Sequence, residues 1–302
     1  MKKINNIKTL QITNDVGINI WMTPLDPEFN SDMFLYHYTN FETACKILYG
    51  ESLKFSSLSR TNDTVESKPK IKAKNKKDQV ELTELLEYFK SINKNSIQLM
   101  CFSKDLIVDN KNTTHLNIYD DFTGRGFALP RMWAQYGENN EGVCLIINKK
   151  GLINLIENTP KYRRQIIRYG DVDYKSIFDS YTMTFEEIKD LKDYFSNSNA
   201  ILNYQFLSEN KKFIERNYFT KSLDWQQENE YRLLAYNETP IYVENLREYL
   251  VGIVVGETMA KVNKKIIYEL SKEICDQIKQ IQFNYSECTL KNLDFKGFDI
   301  YA

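Results

Sequence analysis

The sequence predicts an α+β fold in a single domain of residues 1–302 with helical insertions. Two observations lead to this prediction. Short apolar runs typical of strands alternate with longer segments whose apolar residues recur at helical spacing. No stretch rich in Pro, Gly and Ser divides the chain, and no internal repeat is present.

The first predicted elements are a strand at 33–38, a helix and a shorter strand at 53–57. Thr39 and Glu42 have the spacing of a capping box, which predicts that Thr39 caps the helix, and Gly50 is expected to end it. The apolar positions that recur at helical spacing are Phe41, Ala44, Cys45 and Leu48.

The middle of the chain combines both element types. Residues 80–92 have an apolar stripe that predicts an amphipathic helix. Strands are predicted at 96–102 and 142–147, and a short helix with Pro130 in its first turn lies between them.

The second half contains one long helical segment. Residues 185–219 are mostly helical in pattern, and the region of about 178–220 is predicted to be a helical insertion or a lid. The other predicted elements are strands at 166–174, 230–236, 250–255 and 281–285, and an amphipathic helix at 259–278.

Composition restricts the class of function. The formal net charge of -1 gives no whole-protein attraction to nucleic acid or to a membrane. No apolar region follows the N-terminus, and no apolar run approaches the roughly 20 residues of a membrane span, so a cytoplasmic protein without membrane contact is expected. The five cysteines are dispersed without C-x-x-C spacing, and with only two histidines no metal site is predicted.

The candidate chemistry lies in two blocks far apart in the sequence. His37 lies in a strand-like run and is expected to donate a hydrogen bond to a ribose hydroxyl, with Thr39 on the same strand face. Glu228 and Glu230 precede the apolar run 233–236. If that segment is extended, the two carboxylates share a face, and their repulsion raises the pKa of one of them.

Each of these residues also has a structural interpretation. His37 could be a half-buried imidazole bonded to a main-chain carbonyl, and the hydroxyl of Thr39 could be occupied by the helix that it caps. Glu228 and Glu230 could form a surface pair neutralised by Arg232.

A histidine and two carboxylates suit cleavage of the nicotinamide glycosidic bond of NAD. This reaction passes through an oxocarbenium-like state, which a carboxylate stabilises. The leaving group is cationic and departs neutral, so no general acid is required. One glutamate would hold the ribose 2′-hydroxyl, and the other would accept a proton from the attacking group.

Three further blocks have both a structural and a functional interpretation. Trp133 and Tyr136 pack in the core or form an aromatic wall for nicotinamide. Asn62 and Glu66 stabilise a turn or order a cofactor loop. The lysine run at 68–77 is a solvated loop or an arm that contacts phosphates. The candidates for nucleic-acid contact in this run are Lys70, Lys72 and Lys74.

Five of these blocks, in order, resemble a bacterial domain family of unknown function. The family pattern is Leu-Tyr-His-Tyr-Thr, Asn-Asp-x-x-Glu, Cys-Phe-Ser, Trp-x-x-Tyr-x-x-x-x-x-Gly and Trp-x-x-Glu-x-Glu-Tyr-Arg. In this chain the blocks are residues 35–39, 62–66, 101–103, 133–142 and 225–232, so the resemblance covers roughly residues 33–256.

The opening strand, its His-x-Thr sequence and the following helix are more distantly similar to the DNA-modifying ADP-ribosyltransferase toxins. This resemblance implies a split β-sandwich that clamps NAD. It implies that His37 contacts the NAD ribose, that Tyr38 or Tyr136 borders nicotinamide, and that Glu230 is catalytic. Together with Glu228, Glu230 also resembles the Glu-x-Glu pair of transferases that modify protein side chains.

The implied function is NAD-dependent ADP-ribosyl transfer to a nucleic acid or a protein, in a toxin or an anti-phage defence effector. NAD is then a substrate, and no metal is involved. Two alternatives stay open. One is an NAD glycohydrolase with water as the acceptor, and the other is a non-catalytic module on the same fold that binds nucleic acid or protein.

Overall fold

The computed structural model describes residues 19–24, 26, 28–63, 65–66, 68–106, 121–176, 181–196, 200–284 and 287–295. Its strands are β1 (Phe34–Thr39), β2 (Leu53–Lys54), β3 (Ser56–Ser57), β4 (Ile71–Ala73), β5 (Ile97–Ser103), β6 (Val143–Asn148), β7 (Ile166–Asp171), β8 (Asp173–Lys175), β9 (Tyr181–Met183), β10 (Thr220–Ser222), β11 (Glu230–Tyr236), β12 (Tyr242–Val243), β13 (Leu250–Val255), β14 (Ile278–Asn284) and β15 (Glu287–Asn292). Its α-helices are α1 (Phe41–Gly50), α2 (Gln79–Asn95), α3 (Pro130–Gln135), α4 (Lys149–Asn158), α5 (Pro160–Arg163), α6 (Phe185–Ser196), α7 (Ala200–Glu209), α8 (Lys211–Tyr218) and α9 (Lys261–Ser271).

A mixed sheet forms the centre of the fold, and nine strands pair in it within the described residues. Its main path runs β15-β14-β13-β6-β1-β5-β11-β7, and β3 pairs with β5 beside this path. The pairs along it are antiparallel except β13 and β14, which are parallel. Helices packed on a mixed sheet confirm the predicted α+β class.

Buried side chains that alternate along the strands form an apolar layer on each face of the sheet. In β6, Leu145 and Ile147 pack with apolar residues of α1, α4, α5 and α9. Cys144 and Ile146 point the other way, into a cluster that contains Trp133. Successive side chains of a strand alternate between faces, so one buried strand contributes to both layers of the core.

A second helical layer covers β5 and β11 on the side away from α1. The segment predicted as an insertion or lid contains α6, α7 and α8, and these helices pack with α2. They bury Phe195, Leu207 and Phe213 against a cluster that includes Leu99 of β5 and Leu234 of β11. The segment is therefore part of the hydrophobic core.

Several predicted boundaries are wrong. The strand predicted at 166–174 divides into β7, which pairs with β11, and β8, which pairs with β10 in a separate sheet. The cap of α1 is Asn40, whose side chain accepts a hydrogen bond from the Thr43 amide at 2.8 Å. Thr39 cannot serve as the cap because it still belongs to β1, opposite Val143. The helix predicted at 259–278 covers only Lys261–Ser271. Residues 272–277 form a turn and an irregular link, and Ile278 begins β14, which pairs with β13.

The five cysteines are free thiols, and each is buried or half-buried. Within the described parts of the chain, no helix has the length and apolar character needed to cross a membrane.

Candidate functional site

A cleft of about 510 Å³ lies beside β1 and β5. The two strands pair at a single position, Tyr36 opposite Ser103. Residues next to that pair on both strands, including His37 and Phe102, line the cleft. The volume is in the range of sites that hold small molecules and cofactors.

Most of the predicted site residues meet at this cleft. The predicted residues that line it are His37, Tyr38, Thr39, Asn62, Tyr136, Glu228 and Glu230. They come from the strand β1, the turn after β3, the end of α3 and the chain that enters β11. Segments separated by nearly 200 positions are thus brought together.

Trp133 does not line the cleft. Its side chain is fully buried, and its Nε1 donates to the carbonyl oxygen of Phe127 at 2.8 Å. Its ring packs edge-on against Tyr38, with 5.2 Å between the ring centroids. The structure therefore places Trp133 in the core, behind a residue of the cleft wall.

The half-buried imidazole of His37 has a defined tautomer. Its Nδ1 lies 3.1 Å from the carbonyl oxygen of Cys101. A carbonyl oxygen only accepts hydrogen bonds, so Nδ1 carries the hydrogen and Nε2 is the acceptor in the neutral ring. Burial lowers the pKa of His37 below its ordinary 6.5, although the bond to Cys101 acts in the opposite direction. The expected role as a donor is therefore wrong for the neutral ring, which can accept a hydrogen bond from a ligand hydroxyl.

The backbone around Glu228 and Glu230 is a turn. Glu228 ends a 3₁₀-helix (Leu223–Glu228), Asn229 adopts left-handed angles of φ 43° and ψ 55°, and Glu230 begins β11. The condition of an extended segment is therefore met from Glu230 onward but not at Glu228. The turn nevertheless directs both carboxylates to one ammonium group.

That ammonium group belongs to Lys221. Its Nζ lies 2.8 Å from Oε2 of Glu228 and 2.9 Å from Oε2 of Glu230. Arg232 also binds both oxygens of Glu230, with Nε 2.7 Å from Oε1 and Nη2 2.9 Å from Oε2. All four side chains are buried. Carboxylates at such a site stay charged only when they are paired with cations.

The charges around Glu230 determine its protonation. Burial raises the pKa of this carboxyl, but the neighbouring Arg232 and Lys221 outweigh burial and hold the pKa below its ordinary value. The raised pKa expected from repulsion between the two glutamates is therefore not found at Glu230. The positive charges of Lys221 and Arg232 offset the repulsion between the two carboxylates.

One hydrogen-bond partner of Glu228 is a neutral hydroxyl, which a ligand hydroxyl could replace. The hydroxyl of Tyr136 donates to Oε1 of Glu228 at 2.7 Å, and Asn62 hydrogen-bonds the same hydroxyl. Burial and the charge of Glu228 raise the pKa of Tyr136, so the phenol stays neutral. A ligand hydroxyl could replace this neutral donor, whereas the two cations on Glu230 are fixed by the surrounding protein.

The sequence did not reveal the roles of Lys221 and Glu66. Lys221 shares no block with a recognised pattern, and its position between the two carboxylates depends on the turn at Asn229. Glu66 was predicted only as a turn or cofactor-loop residue. It lines the cleft with 2 % of its surface exposed, and its Oε1 lies 2.5 Å from Nη2 of Arg232.

The lysine run does not form one surface. Lys70 is buried, its Nζ donates to the Thr220 carbonyl at 2.5 Å, and burial lowers its pKa to about 8. Lys72 and Lys74 are exposed, in and just after β4, which pairs in parallel with β9. Only these two of the three candidates present their charge to solvent. In the described residues, no three His, Cys, Asp or Glu side chains are arranged to hold a metal ion.

Comparison with known proteins locates one similarity. Residues 132–233 match the model of a family described as a protein of unknown function (DUF2971). No curated protein and no solved structure matches the chain. The match includes Tyr136, Glu228 and Glu230 but not His37. About a third of this chain is therefore similar to a domain family for which no activity is stated.

Proposed function

We propose that the protein cleaves NAD at its nicotinamide glycosidic bond and transfers ADP-ribose to an acceptor. The observation that carries this proposal is that one cleft contains a neutral histidine from β1 and two carboxylates from the start of β11. Retaining and inverting glycosidases stabilise the same kind of cationic transition state with carboxylates.

The distribution of charge in the cleft supports a dinucleotide ligand. Three buried carboxylates, Glu66, Glu228 and Glu230, line it together with two buried cations, Lys221 and Arg232. The net charge of this buried part is negative, which favours a nicotinamide cation and the oxocarbenium ion that follows. Two exposed cations, Lys54 and Arg60, line the same cleft nearer to solvent and are suited to pyrophosphate oxygens.

Each cleft residue then has a role. Glu230 supplies a fixed negative charge next to the reacting carbon, and His37 accepts a hydrogen bond from a ribose hydroxyl through Nε2. The bond between the ribose carbon and the nicotinamide nitrogen breaks, and its electron pair leaves with nicotinamide. The acceptor forms a bond to that carbon and gives its proton to Glu228 once the ligand has displaced Tyr136.

The test is nicotinamide release from NAD by the full chain, alone and with added DNA, RNA or cell extract. We expect release by the wild type and a large loss in Glu228→Gln and in Glu230→Gln. Glu244→Gln is the control because Glu244 is an exposed carboxylate, ion-paired with Lys161 at 3.3 Å, away from the cleft. Thermal unfolding of each variant separates lost chemistry from lost folding.

Three outcomes decide among the functions. ADP-ribose found on DNA, RNA or protein identifies the acceptor class. Release that is independent of every additive and leaves free ADP-ribose identifies a glycohydrolase. Release that persists in both glutamate variants, or is absent from the wild type under every condition, overturns the proposal.

The exposed Lys72 and Lys74 motivate the non-catalytic alternative, in which the protein binds nucleic acid. Salt-dependent binding that is lost in Lys72→Glu/Lys74→Glu, without NAD turnover, would support that alternative. A role as a toxin or defence effector adds a cellular expectation. Expression of the wild type should slow growth, and expression of Glu228→Gln should not.

A further inference from the structure

Two polar groups in the cleft wall have unfilled hydrogen-bonding capacity. Both carboxylate oxygens of Glu66 and the hydroxyl of Ser103 are shielded from solvent and make no hydrogen bond within the described parts of the chain. Both residues line the cleft. Buried polar atoms in native proteins are nearly always bonded to protein, water or ligand, so these two mark where a ligand would bond.

The charge of Glu66 is balanced, but its lone pairs are not filled. Arg232 is its cation, and the same guanidinium already binds Glu230 and donates to the carbonyl of Tyr218. An ionised carboxylate offers about four acceptor positions and no donor. A ligand group that completes the hydrogen bonding of Glu66 must therefore be a donor.

The turn around Glu66 holds this acceptor in place. The Val65 amide donates to Oδ1 of Asp63 at 2.8 Å, and the Glu66 amide donates to the Asp63 carbonyl at 3.1 Å. Asp63 is itself buried. An acceptor fixed in this way loses little conformational entropy when a ligand binds.

We propose that Glu66 binds the vicinal diol of the ribose that is cleaved, with one hydroxyl on each carboxylate oxygen. Arg232 already supplies the counter-charge of Glu66, so the donor that is still required can be neutral. Two adjacent neutral hydroxyls match an acceptor with two oxygens. Nη2 of Arg232 contacts both Glu66 and Glu230, so the two carboxylates lie at the same sugar. In assigning the diol to that sugar, the inference rests on the proposed function.

The test measures binding and needs no turnover. Nicotinamide mononucleotide and its 2′-deoxy and 3′-deoxy analogues are titrated calorimetrically into the wild type and Glu66→Gln. We expect Glu66→Gln and the loss of either hydroxyl each to weaken binding about tenfold or more, the range for hydrogen bonds to a charged group. The deoxy analogues should bind Glu66→Gln no more weakly than the complete mononucleotide does.

Asp105→Asn is the matched control. Asp105 is also buried and is ion-paired with a buried arginine (Arg125) at 3.0 Å. Among the described residues its Oδ2 has no hydrogen-bond partner, and Asp105 does not line the cleft. This variant should keep the wild-type preference for the diol. If Glu66→Gln does not fold, the wild-type preference for the diol and its weakening in Glu66→Asp provide the test.

Two results would overturn the inference. If the fold-losses in affinity caused by Glu66→Gln and by removing a hydroxyl multiply, Glu66 does not contact the diol. The same conclusion follows if the wild type does not bind the mononucleotide. Nicotinamide release from NAD is measured on the same samples. Release without a diol effect removes this inference alone, whereas a diol effect without release removes the proposed function and leaves the binding site.

Discussion

Nδ1 of His37 lies 3.1 Å from the carbonyl oxygen of Cys101, next to the single position at which β1 and β5 pair. The side chain of His37 thus bonds to the Cys101 carbonyl next to the point where main-chain pairing between β1 and β5 ends. The edge of the ring also contacts Phe102, with 5.7 Å between the ring centroids. His37 therefore supports the separation of the two strands as well as lining the cleft between them.

Replacing His37 should change how stability depends on pH. Because burial lowers its pKa in the folded state, the unfolded chain binds more protons as pH falls below about 6.5, and the free energy of unfolding decreases. His37→Gln keeps a donor for Cys101 but cannot titrate, so this component of the pH dependence should disappear. Urea unfolding of both proteins between pH 8 and pH 5 measures it, and parallel curves would contradict the prediction.

Removing the ammonium of Lys221 should leave two buried carboxylates facing each other. Lys221→Met is expected to reduce the free energy of unfolding by about 3–5 kcal/mol, the cost of breaking a buried ion pair. Glu228→Gln in the same chain removes one of the two charges and should restore part of the loss. Denaturant unfolding of both single variants and the double variant tests this coupling, and strictly additive losses would exclude it.

The turn at Asn229 should tolerate glycine better than alanine. Both replacements remove the hydrogen bond that the side-chain Nδ2 of Asn229 donates to the Asp105 carbonyl at 2.8 Å, so their difference reports on the backbone. Left-handed angles cost an alanine about 1–2 kcal/mol, and glycine adopts them without that cost. Asn229→Ala should therefore be less stable than Asn229→Gly by about 1 kcal/mol in chemical denaturation. Equal stabilities would mean that the turn can relax.

Trp133→Phe should affect stability and leave chemistry almost unchanged. The variant loses the hydrogen bond to Phe127 and part of a fully buried ring, which together cost about 1–3 kcal/mol. Since Trp133 lies behind the cleft wall, the KM for NAD should stay within a factor of about 3 in nicotinamide-release assays. A raised KM with unchanged thermal stability would instead support an aromatic wall for nicotinamide.

The elements that could be predicted are those whose local pattern agrees with their environment. The strands at 34–39, 97–103 and 230–236 were predicted to within a residue or so because each is short and mostly apolar or aromatic. The predicted end of the helix at 259–278 was wrong. Ile278 belongs to β14, and β14 forms by pairing with β13, which the spacing of its own apolar residues does not reveal. In such segments, pairing with a strand distant in sequence determines whether the chain is helical or extended.

For the candidate site, the sequence could name residues but not their contacts. His37, Glu228 and Glu230 were singled out by residue type and spacing. Lys221 was missed because its role comes from a turn, and the acceptor role of His37 follows from a carbonyl on another strand. The pKa direction at Glu230 depends on two cations whose distances no spacing rule provides.

Asn229 also determines how the Glu-x-Glu pattern can be transferred between proteins. On a regular strand, two side chains at this spacing point the same way but stay about 6–7 Å apart along the strand, and the residue between them can be almost anything. Here the middle residue reverses the chain just before the strand begins, and a single ammonium group bridges both carboxylates. Grafting this pair onto a new scaffold would therefore require the turn and its lysine as one unit, and the middle position of the pattern is restricted to residues that accept left-handed angles.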